Sequence, residues 1–417
     1  MDQVVVNRVL MVAFHYPPLR GSSGIQRTLS FSRQLPTYGW EPLVLSASRS
    51  AYPHTSSEQA CGTTIIHRSA ALDAARHLSI RGRYPAWLAR PDRWISWWLS
   101  AVPTGLWLIR RFRPALIWST YPIATAHLIA LALHRMTGLP WVADQRDPLT
   151  DFGYPADMRT RAIHHWLEHQ LVRHASALVC TAPGALRDWS GRFPELRNGQ
   201  LALIENGYDE ASFPAPGGQR PAQGTQPFKL LHSGIVYPSE RDPTQLFAAL
   251  AELQQGGAID AASFKLLLRD SGHDALLDTM IRRHGIQNIV ELAPALGYRE
   301  ALAEMMSADG LLLLQASNCN AQIPAKLYEY LRARRPILAL TDPQGDTARQ
   351  LRSAGIDTIG RLDSLGDIKD KLLNFMRLCH SGSAPLANDG HILQQERAVR
   401  SRQLANLLDR ISAGRNT

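Results

Sequence analysis

The chain has 417 residues, 45% apolar and 19% charged, with a formal net charge of +9. That balance excludes a disordered chain and allows two or three domains whose cores need no staple. No basic run interleaved with aromatics and no zinc-finger or RNA-recognition signature accompanies the charge. Nucleic acid is therefore not the expected partner, which leaves a phosphorylated substrate or an anionic membrane surface.

In the first half, short apolar runs fall at Val9–Phe14, Pro42–Ser46, Thr64–His67, Ala115–Ser119, Trp141–Ala143, Ala177–Thr181 and Leu201–Ile204. In the second half they fall at Phe228–His232, Phe264–Leu268, Ile289–Leu292, Gly310–Leu314 and Ile337–Leu340. The runs are continuous, not alternating, and helix-length segments separate them. This predicts strands covered on both faces, joined as βαβ units into parallel sheets. Phe213–Pro227 is dense in Pro and Gly and reads as a linker. The predicted organisation is a domain over 1–212, a linker over 213–227, a second domain over 228–390, and a helix within 391–417 that packs back toward the first domain. Doubly wound sheets bind ligands at the carboxyl ends of their strands.

Other features bound the setting. Cys61, Cys180, Cys319 and Cys379 form no C-x-x-C pair and read as buried residues of a reducing compartment. The opening MDQVVVNRVLMVAF carries Asn7 and Arg8 within its apolar run and does not read as a signal peptide. The longest apolar stretch, Ile123 to Leu133, is shorter than the ~18 to 20 residues of a membrane span. A cytoplasmic protein is expected.

The chemistry-bearing residues cluster after predicted strands. After the first strand, GSSGIQR places Gly21, Ser22, Ser23, Gly24 and Arg27 at the start of a helical pattern. Such a loop can offer backbone N–H groups to a phosphate or sugar hydroxyl; a plain turn with an N-cap serine is the alternative. In PWVADQRDP, Arg146 can hold a phosphate and Asp147 can orient a hydroxyl or take its proton, unless the two form an ion pair or a cap. His127 is a further catalytic candidate, though a lone histidine on an apolar helix is also a common core residue. In HSGIVYPSERDP, Gly234 allows close backbone approach and Arg241 can pair with a diphosphate. Arg269 ends FKLLLR in a similar position. In AQIPAKLYEYLRARRP, Lys326 and Glu329 lie three apart on one helical face, and Lys326 opposes the helix dipole. A lysine there serves as a phosphate clamp, and the glutamate can accept from ribose hydroxyls. No Asp-x-Asp metal motif is present.

These pieces, in this order and spacing over nearly the whole length, resemble glycosyltransferase family 4. The resemblance implies an α/β chain of the GT-B fold, two doubly wound Rossmann-like domains facing a central cleft. It implies a glycosyltransferase that moves a sugar from a nucleotide-sugar donor, a UDP- or GDP-sugar, to a saccharide or lipid-linked acceptor. Retention of configuration, no metal or other cofactor, and a role in cell-envelope or extracellular polysaccharide synthesis are implied with it. Gly21 and Gly24 match residues near the donor phosphates and the acceptor, with Asp147 and Arg146 near the reacting sugar. Arg241 matches a diphosphate-binding position, Glu329 the second glutamate of the family's pair, and IENGYD the family's Asn-Gly at Asn206 and Gly207. The first glutamate of that pair is replaced by Ala321, flanked by Asn320 and Gln322, which could hydrogen-bond a sugar hydroxyl instead, Gln322 being the donor-binding candidate. The chain looks like a subset of the family with a Pro-x-Lys-x-x-Glu-Tyr donor motif.

Residues 81–113 hold five tryptophans and seven arginines. Trp beside Arg suits a peripheral membrane contact at the inner face of the plasma membrane. A core helix split near Pro103 is the alternative. A nucleotide-sugar 2-epimerase on the same fold and a non-catalytic sugar-binding protein are the competing functions.

Overall fold

The computed structural model of the chain describes residues 7–19, 23–55, 64–151, 153–215 and 226–414. It divides into two compact units, one of residues 1–206 with 397–417 and one of residues 207–396.

In the first unit the strands are β1 (Asn7–Val12), β2 (Trp40–Ala47), β3 (Ile65–Ser69), β4 (Leu116–Thr120), β5 (Trp141–Gln145), β6 (Ala177–Cys180) and β7 (Leu201–Leu203). They form one parallel sheet in the order β3-β2-β1-β4-β5-β6-β7. The apolar runs hide an alternation that the two faces reveal. Leu10, Val12, Trp141 and Ala143 enter one core with the helices Trp97–Phe112 and Ala124–Thr137. Val9, Met11 and Val142 enter the other, where the helix Arg397–Ala413 contributes Leu404, Ala405, Leu407 and Leu408. Trp40 Nε1 donates to Asp409 at 2.8 Å and ties that helix to β2.

In the second unit the strands are β8 (Phe228–Ser233), β9 (Phe264–Arg269), β10 (Val290–Ala293), β11 (Gly310–Leu314), β12 (Ile337–Leu340) and β13 (Ile359–Gly360). Their order is β10-β9-β8-β11-β12-β13, again all parallel. Gly310 opens β11 because a Cβ there would lie 2.6 Å from the Phe375 ring of the helix Leu365–His380.

Two expectations are corrected. The division falls at Asn206, ahead of the Phe213–Pro227 segment, because residues 207–213 are bound to the second unit: Glu210 pairs with Arg332, whose guanidinium lies 4.8 Å over the Phe213 ring. The helix Trp97–Phe112 is not split at Pro103. Pro103 is exposed there, and the carbonyl it cannot serve belongs to Leu99, itself exposed, where water can bond it. Cys180, Cys319 and Cys379 are buried thiols; Cys61 lies outside the described residues.

Candidate functional site

In each sheet the strand order reverses beside the first strand, at β1/β4 and at β8/β11. Loops that follow strands on either side of such a point leave over opposite faces, and the gap between them receives ligands.

In the second unit, the loop after β8 begins at Gly234, which takes φ +105° and donates its N–H to the Arg269 carbonyl at 2.8 Å. A Cβ at this glycine would meet Lys326 Nζ at 3.2 Å. Lys326 opens the helix Lys326–Ala333, and Tyr330 of that helix accepts the Ser233 N–H at its hydroxyl, 2.9 Å away. The ammonium is thereby fixed against the end of β8, where it donates to His232 Nε2 at 3.0 Å. Burial, with the nearby Arg241 cation, pulls Lys326 well below the usual lysine range, against the opposing pull of Glu329 and Asp270. His232 is wholly buried and held well below its ordinary value by burial and by the two cations, so it is neutral. Arg241 lies at the other side of the same loop, its Nη1 donating to the Ile235 carbonyl and its guanidinium 5.2 Å over the Tyr237 ring. Glu329, one turn beyond Lys326, accepts from the Tyr298 hydroxyl at 2.7 Å. The loop carrying Gln322 is held by its own carbonyl, which accepts from Gln315 Nε2 at 3.0 Å and Thr347 at 3.2 Å, while the residue itself is half-buried. Two cations and an oriented carboxylate thus meet at the carboxyl ends of β8 and β11. A diphosphate fits the first and a vicinal diol the second.

Arg269 does not join them. Its Nε and Nη2 bond both oxygens of Glu304, at 2.8 and 2.7 Å, and its Nη1 bonds the Pro294 carbonyl at 2.8 Å. The expected donor-binding role is corrected to a clamp between β9 and the helix Tyr298–Ser307.

In the first unit, Gly21 and Ser22 lie outside the described residues. The helix Ser23–Gln34 begins at Ser23, with Gly24 buried in its first turn. Arg27, on the second turn of that helix, is bonded within the sheet of the first unit. It bonds Asp144 through Nε at 3.0 Å and Nη2 at 2.8 Å, and the Ile204 and Glu205 carbonyls at 2.8 Å each. Four of the five N–H groups of a guanidinium are so engaged, and both members of the pair are buried. Arg27 is a structural residue, not an anion ligand.

His127 is corrected as well. It is wholly buried between helix and sheet, with Nδ1 at 2.7 Å from the Ser119 hydroxyl, which Trp141 Nε1 also reaches at 2.8 Å. Burial lowers it to about 3, against the pull of Asp144, and its Nε2 is buried with no hydrogen-bond partner among the described residues.

Asp147 follows β5 and is exposed; Arg146 beside it is half-buried. Arg146 is pulled below its ordinary value, first by burial and then by Arg27 and Arg397, while Asp147 and Asp144 oppose the shift. Its Nε is buried without a hydrogen-bond partner among the described residues, and so are both amide atoms of Gln145. His15, after β1, is lowered to about 3 by burial and by the Arg146 charge. Unpartnered donors beside clustered cations favour an anion or a polyhydroxyl group.

The residues missed by sequence reasoning are His232, Tyr298, Asp144 and Gln145. His232, Asp144 and Gln145 lie within quoted motifs; Tyr298 lies in none. The readable signal for Gln145 and Asp144 is a polar residue ending an apolar strand; His232 and Tyr298 act across sequence gaps and carry none. Among the described residues no group of three or more His, Cys, Asp or Glu side chains is placed to hold a metal, and no helix is long and apolar enough to cross a membrane.

Residues 23–207 match the family model described as "Glycosyl transferase 4-like domain". No curated protein sequence matches the chain. Among solved structures, the sucrose-phosphate synthase from Thermosynechococcus elongatus aligns with a TM-score of 0.71 at 12% identity, over 98% of this chain and 100% of that one. Anabaena HepE in complex with UDP and glucose aligns with a TM-score of 0.63 at 14% identity, over 97% and 99%. WaaG, a glycosyltransferase involved in lipopolysaccharide biosynthesis, aligns with a TM-score of 0.63 at 12% identity, over 96% and 99%. The chain is therefore an α/β protein with the two parallel Rossmann-like sheets of the GT-B glycosyltransferases, and its residues 23–207 are similar to glycosyl transferase 4-like domains.

Proposed function

We propose that the protein is a glycosyltransferase that takes a sugar from a UDP- or GDP-sugar and passes it to a saccharide or lipid-linked acceptor in cell-envelope or extracellular polysaccharide synthesis. The observation that carries this reading is the cluster at the ends of β8 and β11: Lys326 and Arg241 as cations, and Glu329 oriented by Tyr298. The two cations stabilise the diphosphate as negative charge develops on it, without a bound metal, and Glu329 accepts from the ribose hydroxyls. Gln322, beside Ala321, faces the donor sugar. Asp147 and Arg146 act on the acceptor side, where Arg146 suits a phosphate and Asp147 a hydroxyl. Transfer proceeds with retention, the departing phosphate helping to deprotonate the acceptor.

A thermal-shift screen against nucleoside diphosphates and their sugars tests the donor site, since a ligand bound only by the native state raises Tm. Turnover follows as release of UDP or GDP that an acceptor accelerates. No shift with any nucleoside diphosphate would sink the reading. Inverted anomeric configuration in the product, read by NMR, would remove retention alone.

The protein works at the inner face of the plasma membrane in this reading. Ile80 is 80% exposed, Trp87 68% and Leu99 71%. Leu99, Pro103, Trp107 and Arg110 fall on one outward stripe of the helix Trp97–Phe112, with Arg111 next to it and Arg81 and Arg83 in the preceding segment. Apolar side chains ringed by arginines suit an anionic lipid surface. Sedimentation with anionic vesicles at low salt should carry the protein down. A Trp87→Glu, Leu99→Glu variant should stay in solution while keeping its nucleoside diphosphate affinity.

A further inference from the structure

We propose that His232 is a positioning residue, whose unprotonated Nε2 aims the Lys326 ammonium at a bound diphosphate without cancelling its charge. The inference rests on the donor-site reading of Lys326 above.

The geometry fixes the direction of each bond. His232 sits in β8, and its Nδ1 lies 2.9 Å from the Leu312 carbonyl of β11. A carbonyl only accepts, so Nδ1 carries the proton and Nε2 is left as an acceptor. Lys326 Nζ lies 3.0 Å from that nitrogen, and an ammonium only donates. One N–H of the lysine is thus held by a neutral partner, and the others remain for a ligand. A carboxylate at position 232 would pair with the lysine and repel a phosphate. An apolar residue would leave the ammonium without an aim. Gly234 completes the arrangement, because any Cβ there would press on Nζ from 3.2 Å.

The charges that face Lys326 are Arg241 from the loop after β8, Asp270 from the loop after β9, and Glu329 from its own helix. Burial and Arg241 outweigh the two carboxylates, and the ammonium is held at a cost. A diphosphate relieves it, so binding above the lysine's lowered value takes up a proton.

Isothermal titration of the full chain with UDP and with GDP tests this in four variants. His232→Asn keeps a donor for the Leu312 carbonyl but falls short of Lys326. His232→Gln places an amide oxygen near the position of Nε2. We expect His232→Asn to weaken the better of the two ligands about 10-fold, the loss of one hydrogen bond to a charged group, and His232→Gln to stay within about 3-fold. In a Lys326→Met background, His232→Asn should then cost less than about 2-fold, because the two residues act as one. The high-pH limb of the affinity profile should move to lower pH in His232→Asn, since its lysine has lost an acceptor. An equal loss from His232→Asn with and without Lys326, or an unmoved pH limb, overturns the proposal and leaves the donor site standing. Failure of the wild-type chain and of Lys326→Met to differ toward either ligand overturns the donor-site reading itself.

Discussion

Arg27→Met separates a structural arginine from an anion-binding one. In the folded chain Arg27 gives two bonds to Asp144 and one each to the Ile204 and Glu205 carbonyls, all within the first unit. Methionine keeps most of the stem volume and removes every donor. Asp144 would stay wholly buried with the Thr120 hydroxyl, 2.9 Å away, as its remaining side-chain donor. Breaking a buried pair by removing one partner costs about 3 to 5 kcal/mol, whereas an arginine in a solvent-facing loop costs within about 0.5 kcal/mol. The assay is favoured by the sequence: all ten tryptophans, from Trp40 to Trp189, lie in the first unit, so their fluorescence reports its unfolding alone. With a urea m-value of about 2 to 3 kcal/mol/M, the midpoint should fall by about 1 to 2.5 M. Adding Asp144→Leu should restore part of the loss, because no orphaned charge remains. A midpoint within about 0.3 M of wild type, together with weakened ligand binding, would refute the structural role and return Arg27 to the anion loop.

Other consequences follow from the same geometry. Glu329→Gln should weaken nucleoside diphosphate binding about 10-fold by titration, and a 2′,3′-dideoxy ligand should lose about as much against wild type; equal binding of the dideoxy ligand would take Glu329 off the ribose. Tyr298→Phe should give a smaller loss of the same kind, having removed only the bond that orients the carboxylate. Arg269→Met should leave nucleoside diphosphate affinity unchanged and lower the stability of the second unit by about 1 to 3 kcal/mol, read by circular dichroism in urea; a binding defect in a stable variant would contradict the clamp to Glu304. His127 is lowered to about 3 from 6.5, so between those values the unfolded chain binds a proton that the folded one refuses. The contribution of His127 is therefore fully present above about pH 6.5, and about 2 kcal/mol of it should be lost by pH 5, at about 1.4 kcal/mol per pH unit. His127→Gln should remove that share of the slope in tryptophan-monitored melts at pH 7 and pH 5, and an unchanged slope would mean that the histidine is not held neutral.

The fold was legible because both sheets are parallel and covered on both faces. A strand such as β1 then shows as a solid apolar run, although Val9 and Met11 serve one core and Leu10 and Val12 the other. β13 was not legible, since two residues, Ile359 and Gly360, make no run at all. Lys326 and Glu329 could be read because a helix brings near neighbours in sequence to one face. His232 could not, because its partner lies 94 residues away and a lone histidine in an apolar strand reads as core. In the first unit the difficulty was parity. Asp144 and Asp147 both end the same motif, yet Asp144 shares a face with Val142 and meets Arg27, while Asp147 lies beyond the strand in solvent.

The arginines that the sequence offered as ligand-binding divide by what answers their charge, not by where they stand. Arg27 and Arg269 both belong to segments that end or follow a strand, and both are answered by a carboxylate in bidentate geometry, Asp144 and Glu304. Arg146 and Lys326 stand at comparable places but are pulled downward by burial and by neighbouring cations, Arg27 and Arg397 for one and Arg241 for the other. A cation held at such a cost gains from an arriving anion, and a cation already paired does not. The same argument explains why Asp144 is needed as well as Arg27. Without the carboxylate, Arg27 would add a further uncompensated charge beside Arg146 and lower it further, so the pair sets how much positive charge the end of β5 presents.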